Sequence, residues 1–276
     1  MASIAPVPAE SVLLVTLDSC RFDTFATAAV PNLKQVGELH AASAPSTFTY
    51  GSHMAMWVGF TPGVAGSRAP YVNPKLARVF KLSGGGAWSS GHPAFFALDG
   101  RSIVDGFRQR GFHTIGSAAM KWFDPDTQTT EPLIRDFDTF AYAADHFEAQ
   151  AQVDWIAGEL AERPGPAFVF LNVGETHVPY VHAGAPWIGE PSPCVPFGES
   201  NDADECRRRQ TACLEWLDPV LAPLLDAFAG ANIVLCGDHG DAWGEDGVWE
   251  HGVHHPKVIE VPLLLRLQHG LQPLAG

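Results

Sequence analysis

Two short apolar runs, one near each end of the chain, stop at an aspartate. Val12 to Leu17 is continuous and rich in β-branched and aliphatic residues, and Asp18 follows it. Asn232 to Cys236 is a run of the same kind, followed by Gly237 and the pair Asp238-His239. A strand that is apolar along its whole length is buried on both faces, the environment of a parallel sheet covered by helices. Open α/β sheets bind ligands in the crevice outside the carboxyl ends of such strands. Three metal-type side chains, Asp18, Asp238 and His239, therefore stand where a ligand would sit. The glycines Gly237 and Gly240 beside the pair leave room for backbone and substrate to approach closely. A buried strand-end Asp-His next to a third carboxylate is costly without a cation, because unpaired buried charge is costly.

Between these runs, strand-like and helical patterns alternate. Ser102 to Arg110 reads as a short helix feeding a strand at Thr114 to Ser117, and Asp145 to Glu162 places Phe147, Val153, Ile156 and Leu160 on one helical face before Pro164 and Pro166 stop it. A strand at Ala167 to Asn172 follows. Leu214, Leu217, Leu221, Leu224 and Phe228 then repeat at helical spacing from Arg209 to Ala229, and a further apolar run begins at Val261. The pattern predicts a three-layer αβα sandwich with a mostly parallel central sheet, in one domain over residues 1–276. Lys81 to Pro93 and Ala183 to Asp204, rich in Gly, Ser and Pro, read as irregular surface loops near the site.

Composition removes other classes. With 276 residues, 46% hydrophobic and 17% charged, the chain can bury a substantial core, and a formal charge of -14 argues against nucleic acid or an anionic membrane as partner. It does not argue against an anionic substrate, since a metal and a few local cations reverse the potential inside one pocket. No apolar stretch reaches the length of a membrane span and the first residues lack a basic region followed by an apolar one, so a soluble, cytoplasmic chain is expected. The five cysteines are odd in number and form no CxxC pair, which favours reduced thiols packed as small hydrophobes.

A metal held by two carboxylates and an imidazole needs a nucleophile. Thr47 to Trp57 supplies a candidate: Gly51 and Ser52 can open a helix whose amino end faces an anion, with Thr49 just before them. A hydroxyl beside a divalent cation becomes a competent nucleophile at neutral pH. The alternative is that Thr49 and Ser52 cap a helix and do nothing else.

At this point the residues resemble the alkaline phosphatase superfamily, and within it the sulfatase-like hydrolases and transferases. Leu17, Asp18, Arg21 and Asp23 resemble its first-strand signature, and Pro31-Asn32-Leu33 with Gly37 the helix after it. Thr49, Gly51, Ser52 and His53, then Gly59, Pro62 and Gly63, are similar to the nucleophile segment and its closing turn. Asp238-His239-Gly240, Gly244-Glu245, His251-Gly252 and Val261-Pro262 match the C-terminal metal segment in order and spacing. The departures matter. Type I sulfatases have a Cys, later formylglycine, where this chain has Thr49. They also carry Lys where His251 stands, eleven residues before Pro262. Lys121-Trp122 resembles a sulfatase Lys-Trp-His segment, with Phe123 replacing the His.

The resemblance implies a metal-dependent hydrolase or transferase of a phosphoester, phosphodiester or phosphonate group. Asp18, Asp238, His239 and the Thr49 hydroxyl would hold one tight Zn²⁺ or Mn²⁺, imidazole and carboxylate suiting these better than Ca²⁺. Thr49 would attack, while Lys121, His177 and His251 neutralise the substrate's oxygens and a histidine protonates the leaving group. A weaker second metal, built from His177, His251 and Glu175, is the lesser expectation, because the position four residues before His177 is Val173 and not Asp. His53 and Arg21 are expected near the site as supporting donors, although Arg21 and Asp23 can simply pair with each other. The expected partner is a small anionic ester. A sulfatase acting without formylglycine and an inactive metal- or anion-binding module are the alternatives; a serine hydrolase lacks its Gly-x-Ser-x-Gly elbow here.

Overall fold

The structure, a computed structural model, describes residues 4–59 and 101–268 apart from 128, 146 and 197. The expected closing turn at Gly59 to Gly63 therefore lies outside the described residues beyond Gly59, as does the loop from Lys81 to Pro93.

In chain order the elements are β1 (Val12–Leu17), α1 (Phe22–Thr27), α2 (Pro31–Lys34), β2 (His40–Ser43), α3 (Thr49–Val58), α4 (Ile103–Gln109) and β3 (His113–Ala118). They continue with α5 (Glu131–Ile134), β4 (Thr139–Tyr142), α6 (Ala149–Glu162), β5 (Ala167–Val173), α7 (Ala203–Ala227) and β6 (Asn232–Gly237). A small hairpin, β7 (Ala242–Trp243) and β8 (Trp249–Glu250), then leads to α8 (Pro256–Ile259) and β9 (Glu260–Arg266).

The central sheet has seven strands in the order β2-β9-β6-β1-β5-β3-β4. Five of them, from β6 to β4, run parallel, and β9 and β2 add an antiparallel edge. Each apolar strand alternates between two cores. Leu13, Val15 and Leu17 of β1 pack with α6 and α7 residues such as Ile156, Leu217 and Leu221. Val12 and Leu14 lie against the opposite cluster, where Tyr50, Met54 and Trp57 of α3 meet Leu133 and Phe170. Both faces are covered by helices, which is why the strands read as unbroken apolar runs, and the three-layer sandwich expected from sequence is the architecture found.

The long helix α7 begins six residues before the apolar periodicity does, because Asp202 caps it, its carboxylate accepting from the Asp204 and Glu205 N–H groups at 3.0 Å. The supposed loop therefore ends at this cap. Pro219 and Pro223 inside α7 sit toward its solvent side, where carbonyls left without an N–H partner can turn to water. Among the described residues no helix is long and apolar enough to cross a membrane.

Candidate active site

Strand register builds the site. Leu17 is paired with Gly237 and with Val173 across the parallel ladders, so the residues that follow emerge side by side at one edge of the sheet. Asp18 and Asp238 are the first residues beyond those paired ends. Gly237 is required there: a Cβ would stand 3.0 Å from both the Cys20 carbonyl oxygen and Val261 Cβ. At Gly240 a Cβ would collide with the Lys257 carbonyl. It is backbone, and not substrate, that these glycines admit.

Asp18, Asp238 and His239 are fully buried, and one ligand atom of each lies within 4.8 Å of the others. His239 Nε2 stands 3.6 Å from carboxylate oxygens of both Asp18 and Asp238. Its Nδ1 lies 3.1 Å from the Gly240 carbonyl, an acceptor, so Nδ1 carries the proton and Nε2 turns a lone pair toward two carboxylates. Burial, with the nearby His251 charge, pushes His239 down to about 3, so the imidazole is neutral. Burial pushes Asp238 up to about 6 against the backbone N–H groups of His239 and Ser19 that hold its Oδ1 at 2.9 and 3.2 Å. Asp18 is raised too, by burial and then by the Asp238 charge. Asp238 Oδ2, buried in the same place, has no hydrogen-bond partner. Two buried carboxylates, one of them with an orphaned oxygen, converging on an imidazole lone pair with no cationic side chain among them are the features of a divalent-cation site.

Thr49 is the first residue of α3, and its hydroxyl lies 3.4 Å from Asp18 Oδ1 and 3.3 Å from His239 Nε2. A helix of ten residues thus presents its positive end at the hydroxyl. Ser52 is not a second nucleophile: its hydroxyl donates to the Asp238 carbonyl at 2.7 Å and ties α3 to the ligand-bearing strand.

The other expected residues separate. His251 arrives beside the cluster, its ring centroid 4.4 Å from that of His239 and 5.1 Å from that of half-buried His177. Burial alone would lower its pKa, but Asp241, whose Oδ1 is 2.7 Å from His251 Nδ1, carries it up to about 9. His53 is buried inside α3, with Nδ1 2.7 Å from the Thr49 carbonyl and its ring edge-on to Phe123 at 5.2 Å. Its Nε2 faces the Thr16 hydroxyl at 3.0 Å, and Asn172 Nδ2 then bridges Thr16 and Asp18 at 3.1 Å each. His53 therefore braces the ligand strands from behind, and Phe123, the residue standing in for a family His, packs against it. Lys121 follows β3 at the same sheet edge but is exposed, and it forms no ion pair with any described residue.

One expectation is corrected and one alternative is resolved. Glu175 does not face the second group of potential ligands. Its Oε1 accepts from the Ala149 N–H at 2.9 Å, capping α6, and burial raises it to about 7. For Arg21 the structure favours the alternative of pairing with Asp23, and its Nη1 also donates to the Asp241 carbonyl at 3.3 Å, as a supporting donor beside the site. It pairs with both oxygens of Asp23, at 2.9 and 2.7 Å, and with Glu245 at 2.8 Å, and it stacks 4.1 Å over the Trp243 ring. Two carboxylates already satisfy its planar fork.

Sequence reasoning missed Asp241, which with His239 and His251 forms a second group of metal-type atoms within 4.8 Å. The clue was its place three residues after Asp238, on the turn that leaves the same strand. Tyr180, which holds Asp241, and Asn172, which holds Asp18, carried no signal, because an aromatic and an amide beside a strand end read as packing. His254 is exposed, and His255 caps α8, its Nδ1 accepting from the Lys257 N–H at 3.1 Å.

No family model matches the sequence, and no curated protein matches it. Solved structures do. The C-terminal periplasmic domain of phosphoethanolamine transferase EptC from Campylobacter jejuni is similar with a TM-score of 0.63 at 12% identity, over 94% of this chain and 80% of that one. The corresponding domain from Escherichia coli gives 0.63 at 14%, over 97% and 75%. The phosphonate monoester hydrolase of Agrobacterium radiobacter gives 0.64 at 14%, over 94% and 68%. A protein of the alkaline phosphatase superfamily from Vibrio parahaemolyticus and a putative sulfatase from Bacteroides thetaiotaomicron are also similar, with TM-scores of 0.54 and 0.62. The fold expected from the motifs is thus the fold found. The cytoplasmic location expected from sequence is overturned, since the first of these neighbours are periplasmic domains. The lack of an apolar span or of a leader-like stretch in this sequence, on which that expectation rested, carries no information about compartment.

Proposed function

We propose that this chain, which carries the alkaline-phosphatase-like fold, is a metal-dependent enzyme that cleaves or transfers a phosphoester, phosphodiester or phosphonate group through Thr49. The observation that supports this most is the orphaned Asp238 Oδ2 beside the His239 lone pair, with the Thr49 hydroxyl at a helix amino end against both. Asp18, Asp238, His239 and the Thr49 hydroxyl would hold one divalent ion, Zn²⁺ or Mn²⁺ by donor type; the Escherichia coli neighbour has also been solved as a complex with Zn. When bound, the ion supplies Lewis-acid polarisation and acidifies a hydroxyl beside it. Hydrogen bonds from Ser19, His239 and Asn172 offset only part of the cost of burying two carboxylates together, so ion binding and ionisation would be coupled.

Thr49 gives up its hydroxyl proton to water, and its Oγ attacks phosphorus in line while the bond to the leaving oxygen breaks. His251, cationic at neutral pH because Asp241 faces it, donates the proton that the leaving oxygen needs. His177 contacts an equatorial oxygen from the end of β5, and exposed Lys121 adds positive charge at the same edge. The phosphothreonine then passes its group to water or to another alcohol. The activity resides in one unit spanning residues 1–276, acting on a small anionic ester. The test is a parallel assay of aryl phosphate, diaryl phosphate, aryl phosphonate and aryl sulfate after metal analysis. Faster cleavage of sulfate than of every phospho-substrate would replace this reading with the sulfatase one, which the similarity to the Bacteroides protein keeps in view.

A further inference from the structure

A chain of hydrogen bonds reaches His251 from the buried cluster behind it. Trp243 Nε1 donates to the Tyr180 hydroxyl at 2.8 Å, Tyr180 Oη donates to Asp241 Oδ2 at 2.7 Å, and Asp241 Oδ1 meets His251 Nδ1 at 2.7 Å. The direction of every bond is fixed by chemistry. An indole N–H can only donate, so the phenol must spend its one proton on its other partner. That partner is a carboxylate, which accepts at both oxygens. His251 Nδ1 must therefore carry a proton, and the remaining ring nitrogen, Nε2, is the one left to work.

Tyr180 also ties down the turn that carries His177. Its backbone N–H donates to the His177 carbonyl at 2.7 Å, and its own carbonyl accepts from Trp187 Nε1 at 2.8 Å. The residue is fully buried and sits at φ +58, a conformation that costs a non-glycine residue and is held here by its surroundings. Both oxygens of Asp241 are occupied by this chain, whereas Asp238 Oδ2 has no partner. The two groups of metal-type atoms are thus not equivalent.

We propose that Tyr180 is a positioning residue for the His177 and His251 imidazoles: its main chain fixes the turn that carries His177, and its phenol locks Asp241 so that His251 presents only Nε2 to the substrate. Asp241 is then an anchor for His251 and not a metal ligand. This rests on the phosphoryl-transfer reading for its purpose, but its geometry can be tested without turnover.

The experiment follows the His251 Nδ1–H proton by NMR in the ¹⁵N-histidine-labelled chain, assigned by its loss in His251→Gln. In the parent it is a downfield resonance in slow exchange with water. Tyr180→Phe keeps the ring and removes the hydroxyl; the resonance is expected to broaden or move upfield, with kcat lowered roughly ten- to a hundredfold, KM little changed, and bound metal retained. Asp241→Asn should abolish the resonance while leaving about one ion per chain. Should Tyr180→Phe fail to fold, Trp243→Phe, which frees the phenol proton to turn, gives the same readout in weaker form. An unchanged resonance and kcat in a folded Tyr180→Phe overturns the proposal, and so does loss of the metal in Asp241→Asn. If the resonance collapses as expected in a chain that turns over no phosphoester, the positioning role stands and the proposed function falls.

Discussion

Replacing Glu175 by glutamine should change how stability depends on pH, and the size of the change follows from where the carboxyl sits. Burial raises it from an ordinary 4.5 to about 7, against the backbone N–H groups of Ala149, Glu175 and Gly174, which favour its charged form, and with the Glu148 charge adding to the rise. Its Oε2 is buried without a partner. Because the folded pKa lies above the unfolded one, the stabilisation from this group is complete below pH 4.5 and is lost as pH rises through about 7. At about 1.36 kcal/mol per pKa unit, ionisation should cost the fold on the order of 3 kcal/mol by pH 8. The glutamine amide keeps the acceptor for the Ala149 N–H and cannot ionise. It leaves an unsatisfied donor where Oε2 was, but that penalty is the same at every pH. Urea denaturation of the parent and of Glu175→Gln at constant chelator, from pH 5 to pH 8, should therefore give a difference that grows steadily in favour of the variant as pH rises. A difference that stays flat across that range would refute the argument, and loss of metal in the variant would return Glu175 to the ligand set.

Purified protein should hold about one divalent ion per chain, and a chelator should abolish turnover and lower Tm, because two carboxylates buried side by side lose the cation that would neutralise them. Thr49→Ala should fold and keep most of its metal yet lose turnover by several orders of magnitude. Ser52→Ala removes one bond to the Asp238 carbonyl and should cost about 1 kcal/mol of stability and little activity; equal activity losses at the two positions would move the nucleophile. Turnover should fall as pH rises through about 9, where His251 loses its proton, and not near the histidine reference value of 6.5, so a limb near 6.5 in the pH profile would exclude His251 as the proton donor.

The strands that carry the site were legible because burial on both faces leaves unbroken apolar runs, and because an Asp or an Asp-His at the end of such a run has few innocent explanations. Asp18, Asp238 and His239 were singled out by that logic and Thr49 by the helix opening at Gly51 and Ser52, and the structure brings the four side chains together. What escaped depends on side-chain direction. Glu175 and His177 are two residues apart, yet one turns back to cap α6 and the other faces His251, and nothing in their spacing distinguishes them. Arg21 read as a substrate contact or as half of a pair with Asp23, but Glu245, more than two hundred positions away in sequence, completes its neutralisation. Asp241 was overlooked because its partner, Tyr180, lies on a different strand end. The antiparallel edge formed by β9 and β2 was also beyond reach, since strand direction leaves no trace in an apolar run as short as Val261 to Leu265.

The pairing of β1 with β6 joins residues made far apart in time. The Ser19 N–H binds the carboxylate of Asp238, 219 residues later. At about 5–20 residues per second, a growing chain carries Asp18 and Thr49 for roughly 10–40 s before their partners leave the ribosome. During that interval the chain can gather its first helices and strands, but Asp18 and Thr49 stand without the Asp238 and His239 side chains they meet in the folded structure. Strand β6 brings the last two residues of the proposed ligand set, so on the proposed mechanism a chain truncated anywhere before His239 is expected to be inert however well its earlier part folds.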